Sequence, residues 1–288
     1  MTGHVQGSRV DLGRGLVLPN PVGLASGTAG YGFELQQLID IDRLGALYTK
    51  GTTVAPREGN PPPRVAETGG GMLNSIGLQN PGVDVVAGEY AERWRGWNIK
   101  VIVNVAGGSI DEYVHCVRTL DPVAEVAGIE LNISCPNISG GLDFGRDARA
   151  AGELVAAVRA VTERCVIVKL SPNVTDIAAV ARAVEDAGAD AVSAVNTYIG
   201  RKIHRATGRS VLPLGTGGLS GPAIQPLALA AVAAVCEAVS IPVIGVGGIT
   251  DAASAQDFLT VGARAVQVGT ATFVNPETAL QVLDGLGT

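Results

Sequence analysis

Apolar residues fall along this chain in short runs of four or five, and stretches with helical spacing separate the runs. The apolar runs lie at 22–25, 46–49, 101–105, 128–132, 166–170, 191–195, 243–246 and 265–268. Most are continuous rather than alternating, the mark of parallel strands covered on both faces. Helical periodicity marks 34–41, 110–119, 148–162, 177–187, 223–239 and 252–261 between them, and 277–283 at the close. Ahead of the first run, 10–12 and 16–18 flank Gly13-Arg14-Gly15 and read as a β-hairpin. Strands alternating with helices imply a parallel sheet with right-handed crossovers. Eight such units predict an α/β fold closed into a (β/α)8 TIM barrel, a single domain over 1–288. An open doubly wound sheet is the alternative. Against it, no G-x-G-x-x-G opens a helix after the first strand.

Three segments exceed plain connectors. Residues 51–97 are rich in Pro and Gly, 136–147 follow the fourth strand, and 198–222 carry Arg201, Lys202, His204, Arg205 and Arg209. In a barrel, loops that follow strands lie on the C-terminal, catalytic face, and long loops in compact domains are usually functional or disordered.

Composition narrows the classes. The 288 residues are 47% hydrophobic but only 4% aromatic, with a net charge of −6. No basic run is long enough for a nucleic-acid footprint. No apolar stretch reaches the roughly 18 residues that span a bilayer, and no targeting peptide is expected at the N-terminus. Cys116, Cys135, Cys165 and Cys236 form no C-x-x-C pair. The expectation is therefore a protein of the reducing cytoplasm with neither zinc nor an iron–sulfur cluster of its own.

The strand ends carry the chemistry. Ser26, Lys50, Asn104, Asn132 and Asn196-Thr197 end strands, and Lys169 lies in the fifth. A lone asparagine there is best read as a satisfied core polar group. Six strands ending alike imply a polar ligand in the barrel mouth, because each buried amide or ammonium left unpaired costs several kcal/mol. Asparagine donates and accepts, which suits a flat heterocycle with carbonyl and N–H edges. Gly245-Val-Gly247-Gly248 and Gly269-Thr270 follow the last two strands, where barrels often bind phosphate; plain tight turns are the alternative. Lys169 reads either as a fixed cation beside a ring that becomes anionic or as a Schiff-base lysine. Cys116, Cys165 and Cys236 sit in apolar patterns as buried hydrophobes. Cys135 follows a strand, precedes Pro136 and Asn137, and is followed by Gly140-Gly141, a possible hinge. No histidine lies near it in sequence, so it reads as a general base rather than a nucleophile.

The chain resembles the dihydroorotate dehydrogenases, and within them the class 1B catalytic subunit. The resemblance rests on Lys50-Gly-Thr-Thr, Pro56-Arg57-x-Gly59-Asn60-Pro61-x-Pro63-Arg64, Gly71-Met-Leu-Asn74-Ser-Ile-Gly77-Leu-Gln-Asn80-Pro, Asn132-Ile-Ser-Cys135-Pro-Asn137, Val168-Lys169-Leu-Ser-Pro-Asn173, Thr216-Gly-Gly-Leu-Ser-Gly221-Pro-Ala-Ile, Gly245-Val-Gly-Gly248 and Val268-Gly-Thr270. It implies an FMN-bearing barrel that oxidises (S)-dihydroorotate to orotate in pyrimidine synthesis, with Cys135 removing the C5 proton. It implies that Lys50, Asn74, Ser75, Ile76, Gly77, Leu78, Asn132, Asn196 and Thr197 hold the pyrimidine. It assigns Ser26, Lys50, Gly51, Asn104, Asn132, Lys169, Val195, Gly221, Gly247, Gly248, Gly269 and Thr270 to FMN, and no residue to a metal. Class 1B also implies a homodimer core and a second subunit carrying FAD and a [2Fe–2S] cluster, which passes electrons to NAD, in a heterotetramer. The basic loop 201–209 departs from the family pattern, and the chain ends soon after strand eight, where relatives often continue for another helix. Competing readings are a fumarate-linked class 1A enzyme, a dihydropyrimidine dehydrogenase-like enzyme, a tRNA dihydrouridine synthase, a flavin-binding regulatory module without turnover, and a Schiff-base aldolase at Lys169. The dihydrouridine synthase needs a basic surface, which a charge of −6 opposes.

Overall fold

The computed structural model describes residues 9–134 and 144–287. The chain opens with β1 (Val10–Asp11) and β2 (Val17–Leu18), an antiparallel hairpin turned through Gly13, Arg14 and Gly15. The strands that follow are β3 (Val22–Leu24), β4 (Ala46–Tyr48), β5 (Val65–Thr68), β6 (Gly71–Asn74), β7 (Lys100–Val105), β8 (Val126–Asn132), β9 (Cys165–Lys169), β10 (Ala191–Ala194), β11 (Tyr198–Gly200), β12 (Gly217–Ser220), β13 (Val243–Val246) and β14 (Ala265–Val268). Eight of these close a parallel barrel in the order β10-β13-β14-β3-β4-β7-β8-β9. They are the eight apolar runs of the sequence, each within a few residues of its expected bounds.

Helices α3 (Ile110–Leu120), α4 (Ala148–Arg159), α5 (Ile177–Asp186), α6 (Gln225–Ala238), α7 (Ala252–Thr260) and α8 (Thr278–Gly285) follow strands, as expected. Earlier in the chain, α1 (Val83–Val85) runs through a π turn into α2 (Ala91–Trp94). Side chains of Ser109, Asp147, Asp176 and Asp251 cap α3, α4, α5 and α7 by accepting from first-turn N–H groups. Outward strand residues such as Val103, Leu131, Val168 and Val266 pack with the helices in the largest apolar cluster.

Three stretches differ from the pattern. Residues 34–41 are not one helix. They form 3-10 turns at Leu35–Gln37 and Ile41–Arg43, separated by a non-helical Asp40. The expected helix at 223–239 begins at Gln225, after a 3-10 turn at Pro222–Ile224. Most importantly, β5 and β6 from one long segment pair with β12 and β11 from another in a four-stranded antiparallel sheet, ordered β11-β12-β6-β5. These segments follow β4 and β10, which stand opposite one another on the barrel ring. The sheet closes a small core of Ala66, Leu73 and Leu212.

Inside the barrel the filling changes with height. Ala46, Tyr48, Ile102, Cys165, Ile167, Ala191, Ile244 and Ala265 form an apolar cluster with hairpin residues Val10, Leu12, Leu16 and Leu18. The hairpin thus plugs the N-terminal end of the barrel, and the Cys165 thiol donates to the Leu12 carbonyl oxygen at 3.3 Å. Burial pushes the Cys165 thiol well above its usual range, so it stays a neutral hydrophobe. Arg14 at the hairpin tip pairs with Asp190 at 3.0 Å and with Glu163, fixing the plug to the barrel rim. Above this layer the interior turns polar, with Asn104, Glu130, Lys169, Ser193 and Gln267 all buried.

Leu12 is fully buried at the centre of the plug. Leu12→Ala is expected to destabilise the fold by about 2–5 kcal/mol, read as a lower midpoint in urea unfolding. An unchanged midpoint would mean that the hairpin does not fill the barrel.

Candidate active site

Each strand presents alternate residues to the barrel interior, so the polar residues near its C-terminal ends converge on the mouth. Asn132 ends β8 and is tied on both sides. Its carbonyl oxygen accepts from the Tyr113 hydroxyl at 2.6 Å, and its Oδ1 accepts from Asn196 Nδ2 at 3.1 Å. Asn196 Oδ1 accepts the Thr197 N–H at 2.8 Å, and Asn173 Nδ2 donates to the Thr197 carbonyl oxygen at 2.9 Å. Asn74 Nδ2 donates to the Gly218 carbonyl oxygen at 3.3 Å, joining β6 to β12 beside the same residues.

The loop 75–78 is held from beneath by the Pro-rich stretch. Asn60 Nδ2 donates to Ser75 at its carbonyl oxygen (3.2 Å) and Oγ (3.0 Å), and the Asn60 N–H donates to the Ile76 carbonyl oxygen at 2.9 Å. Arg64 donates to the carbonyl oxygens of Asn60 and Glu58 and to Gln79 Oε1. Asn80, buried, bonds both Leu78 and Thr53. Gly77 takes φ +76°, and a Cβ there would lie 2.5 Å from Asn60 Oδ1. Leu78 also has positive φ, and its side chain approaches Gly51.

Two lysines reach this region. Lys50 is half-buried, and burial first and the charge of Arg64 second lower its pKa. A carboxylate brought between these two cations would relieve that cost. Lys169 is 5% exposed, and among the described residues its ammonium has no hydrogen-bond or ion-pair partner. A buried cation so placed calls for an external acceptor. Asn104 is fully buried. Its Nδ2 donates to Glu130 Oε2 at 2.6 Å, while its Oδ1 has no partner.

A third group lies where the loops after β12, β13 and β14 meet. A Cβ on Gly248, at φ +78°, would lie 2.9 Å from the Gly221 carbonyl oxygen, so only glycine lets these loops touch. Thr270 Oγ1 donates to Ser220 Oγ at 2.8 Å, and Gly269 lies against Ala25, next to Ser26. Val195 and Gly247 approach one another at the end of β10. Among the described residues, the backbone N–H groups of Gly248 and Thr270 have no acceptor. Free N–H groups in glycine-lined turns form an anion cradle.

The sequence matches the family model described as Dihydroorotate dehydrogenase over residues 13–288. The chain belongs to the dihydroorotate dehydrogenase family. Among its curated relatives in that family is a protein of Trichlorobacter lovleyi, 52% identical over 272 residues, covering 94% of this chain and 90% of the relative. One from Porphyromonas gingivalis is 49% identical over 280 residues, with 97% and 91% covered. One from Desulforamulus reducens is 51% identical over 268 residues, with 93% and 88% covered. Each is named dihydroorotate dehydrogenase B (NAD(+)), catalytic subunit.

Within this dihydroorotate dehydrogenase fold, Asn74, Asn132, Asn196 and Thr197 come together, as do Gly221, Gly248, Gly269 and Thr270. Lys50, Gly51 and Asn104 line the β4–β7 side. Cys135, with Pro136, Asn137, Gly140 and Gly141, lies outside the described residues. Among the described residues no cluster of three or more His, Cys, Asp or Glu side chains could hold a metal. Sequence reasoning named Asn60, Arg64 and Asn80 only as motif letters, and passed over Glu130, Ser193 and Gln267. A charged residue between Ile129 and Leu131, inside a strand read as buried on both faces, was the available signal for Glu130.

Gly77→Ala is expected to lose more than about 1 kcal/mol, because alanine is strained at positive φ and meets Asn60. Gly69→Ala, which meets open space, serves as the control in the same denaturant titration. Equal midpoints for the two variants would contradict the packed loop.

Proposed function

We propose that this chain is the FMN-bearing catalytic subunit of a class 1B enzyme, oxidising (S)-dihydroorotate to orotate in pyrimidine synthesis. The observation that carries it is the meeting, in one barrel mouth, of an asparagine cluster, two cations and an anion cradle in a chain of this family. Among the described residues, the orphaned Asn104 Oδ1, the unpartnered Lys169 ammonium and the free N–H groups of Gly248 and Thr270 fit a ring with polar edges and a phosphate tail.

In this reading Ser26, Lys50, Gly51, Asn104, Asn132, Lys169, Val195, Gly221, Gly247, Gly248, Gly269 and Thr270 hold FMN, the last four of the glycines and Thr270 around its phosphate. Bound there, FMN supplies a two-electron acceptor for the C6 hydride. Asn74, Ser75, Ile76, Gly77, Leu78, Asn132, Asn196 and Thr197 bind the pyrimidine, whose imide and carbonyl edges match amides that donate and accept. Lys50 faces the carboxylate, with the Arg64 charge near enough to be felt. Cys135 takes the C5 proton, so loss of a proton and of a hydride together make the C5–C6 double bond. A thiol with an ordinary pKa of about 8.5 serves as base near neutral pH.

The relatives' names speak of a catalytic subunit and of NAD(+). They support a second subunit and NAD as the final acceptor; in this reading that subunit carries FAD and a [2Fe–2S] cluster and joins a homodimeric core in a heterotetramer. No helix of the described residues is long and apolar enough to cross a membrane, and the reading places the enzyme in the cytoplasm.

Purified protein should be yellow and should bleach when dihydroorotate is added without oxygen. Cys135→Ala should bleach about 10²–10⁴-fold more slowly near neutral pH in stopped-flow absorbance. Yellow protein that dihydroorotate leaves unchanged would overturn the substrate assignment, and wild-type bleaching rates in the variant would remove Cys135 from the mechanism.

The lowered pKa of Lys50 sets a pH dependence. The carboxylate binds the charged lysine, so binding raises that pKa. Orotate affinity is therefore constant while free Lys50 is protonated, and falls as pH rises through a value below the ordinary 10.5. Calorimetric titrations of orotate across the alkaline range should show this fall in the wild type and not in Lys50→Met. Parallel curves for the two proteins would exclude Lys50 from the carboxylate site.

A further inference from the structure

The barrel interior holds a carboxylate that none of these roles uses. Glu130, at the centre of β8, is fully buried. Its Oε2 accepts from Asn104 Nδ2 at 2.6 Å, and its Oε1 accepts from Ser193 Oγ at 2.7 Å and Gln267 Nε2 at 3.2 Å. The three donors come from β7, β10 and β14. A buried carboxylate costs several kcal/mol unless its lone pairs are used, and here they are used by neutral donors.

A carboxylate only accepts, so it decides which end of each amide it faces. Turning the Asn104 amide over would set Oδ1 against Glu130 Oε2, two acceptors in contact. The amide is therefore held with Nδ2 inward and Oδ1 away. That oxygen is buried without a partner among the described residues, as is Gln267 Oε1, and it lies 3.2 Å from where a Cβ on Gly51 would stand. Gly51 in turn borders Leu78, in the loop assigned to the pyrimidine.

We propose that Glu130 is a positioning residue, which locks the Asn104 amide so that Oδ1 is offered as an acceptor to an N–H edge of the bound flavin. The proposal rests on the FMN reading above. Glu130 acts through Asn104 and touches no ligand itself. Without the carboxylate the amide is free to turn, and a donor replaces the acceptor for part of the time.

The test is FMN binding to apoprotein, followed by flavin fluorescence, with urea unfolding of each apoprotein alongside. Glu130→Gln keeps the shape and removes the charge, and should weaken FMN by about two- to tenfold, the range for one neutral hydrogen bond. Asn104→Ala should weaken it comparably, and the double variant should bind no worse than Asn104→Ala alone. Ser193→Ala cuts a different donor to the same carboxylate. It should lower the unfolding midpoint and leave FMN affinity unchanged, which a merely structural role for Glu130 would not predict. Losses that multiply in the double variant, or wild-type affinity in Glu130→Gln, would overturn the proposal. Wild-type apoprotein that does not bind FMN would overturn the FMN reading and this proposal with it, a distinguishable result. Should Glu130→Gln fail to fold, side-chain amide exchange of Asn104 in the FMN-bound wild type decides. Strong protection of the Nδ2 protons supports the lock, and exchange at the unprotected rate refutes it.

Discussion

A closed parallel barrel must fill its own interior, and this chain meets that constraint in two different ways along one axis. Below, apolar side chains from the strands meet the four apolar residues of the N-terminal hairpin and close the end. Above, the same alternation of inward residues turns to Asn104, Glu130, Lys169, Ser193 and Gln267. Polar groups there must find partners away from water. Some do so among themselves around Glu130. Among the described residues the Asn104 and Gln267 side-chain oxygens and the Lys169 ammonium do not.

The long segments on the C-terminal face serve the same end. Asn60 and Asn80 have few apolar contacts to offer, and instead spend hydrogen-bonding capacity on Ser75, Ile76 and Leu78, while Arg64 braces Asn60, Glu58 and Gln79 beside them. That fixes a loop whose residues at positive φ would not hold their shape alone. Barrel and loop are thus tied by polar contacts at the mouth, while the barrel wall rests on apolar packing against its helices.

Much of this was legible in the sequence. The eight strands stood out because parallel strands covered on both faces read as unbroken apolar runs, and the hairpin because Gly13-Arg14-Gly15 marks its turn. Residues 34–41 carried helical spacing, yet Asp40 breaks the helix into short turns. The four-stranded sheet was not legible. Its strands are three or four residues long, rich in glycine, and β6 pairs with β12 across more than a hundred residues, a contact that no local pattern encodes. At the site, asparagines and lysines at strand ends announced themselves by position. Gln267 did not, because a single polar residue between two valines looks the same whether it is braced or exposed, and Glu130 was marked only by its charge. Cys135 was read from its neighbours Asn132, Pro136 and Asn137, and lies outside the described residues.

The small sheet has a geometric consequence of its own. It is anchored after β4 and after β10, which face each other across the ring of eight strands. The line between its two anchors leaves β13, β14 and β3 on one side of the ring and β7, β8 and β9 on the other. An insertion or deletion in either long segment would therefore disturb strand pairing on two opposite sides of the barrel at once.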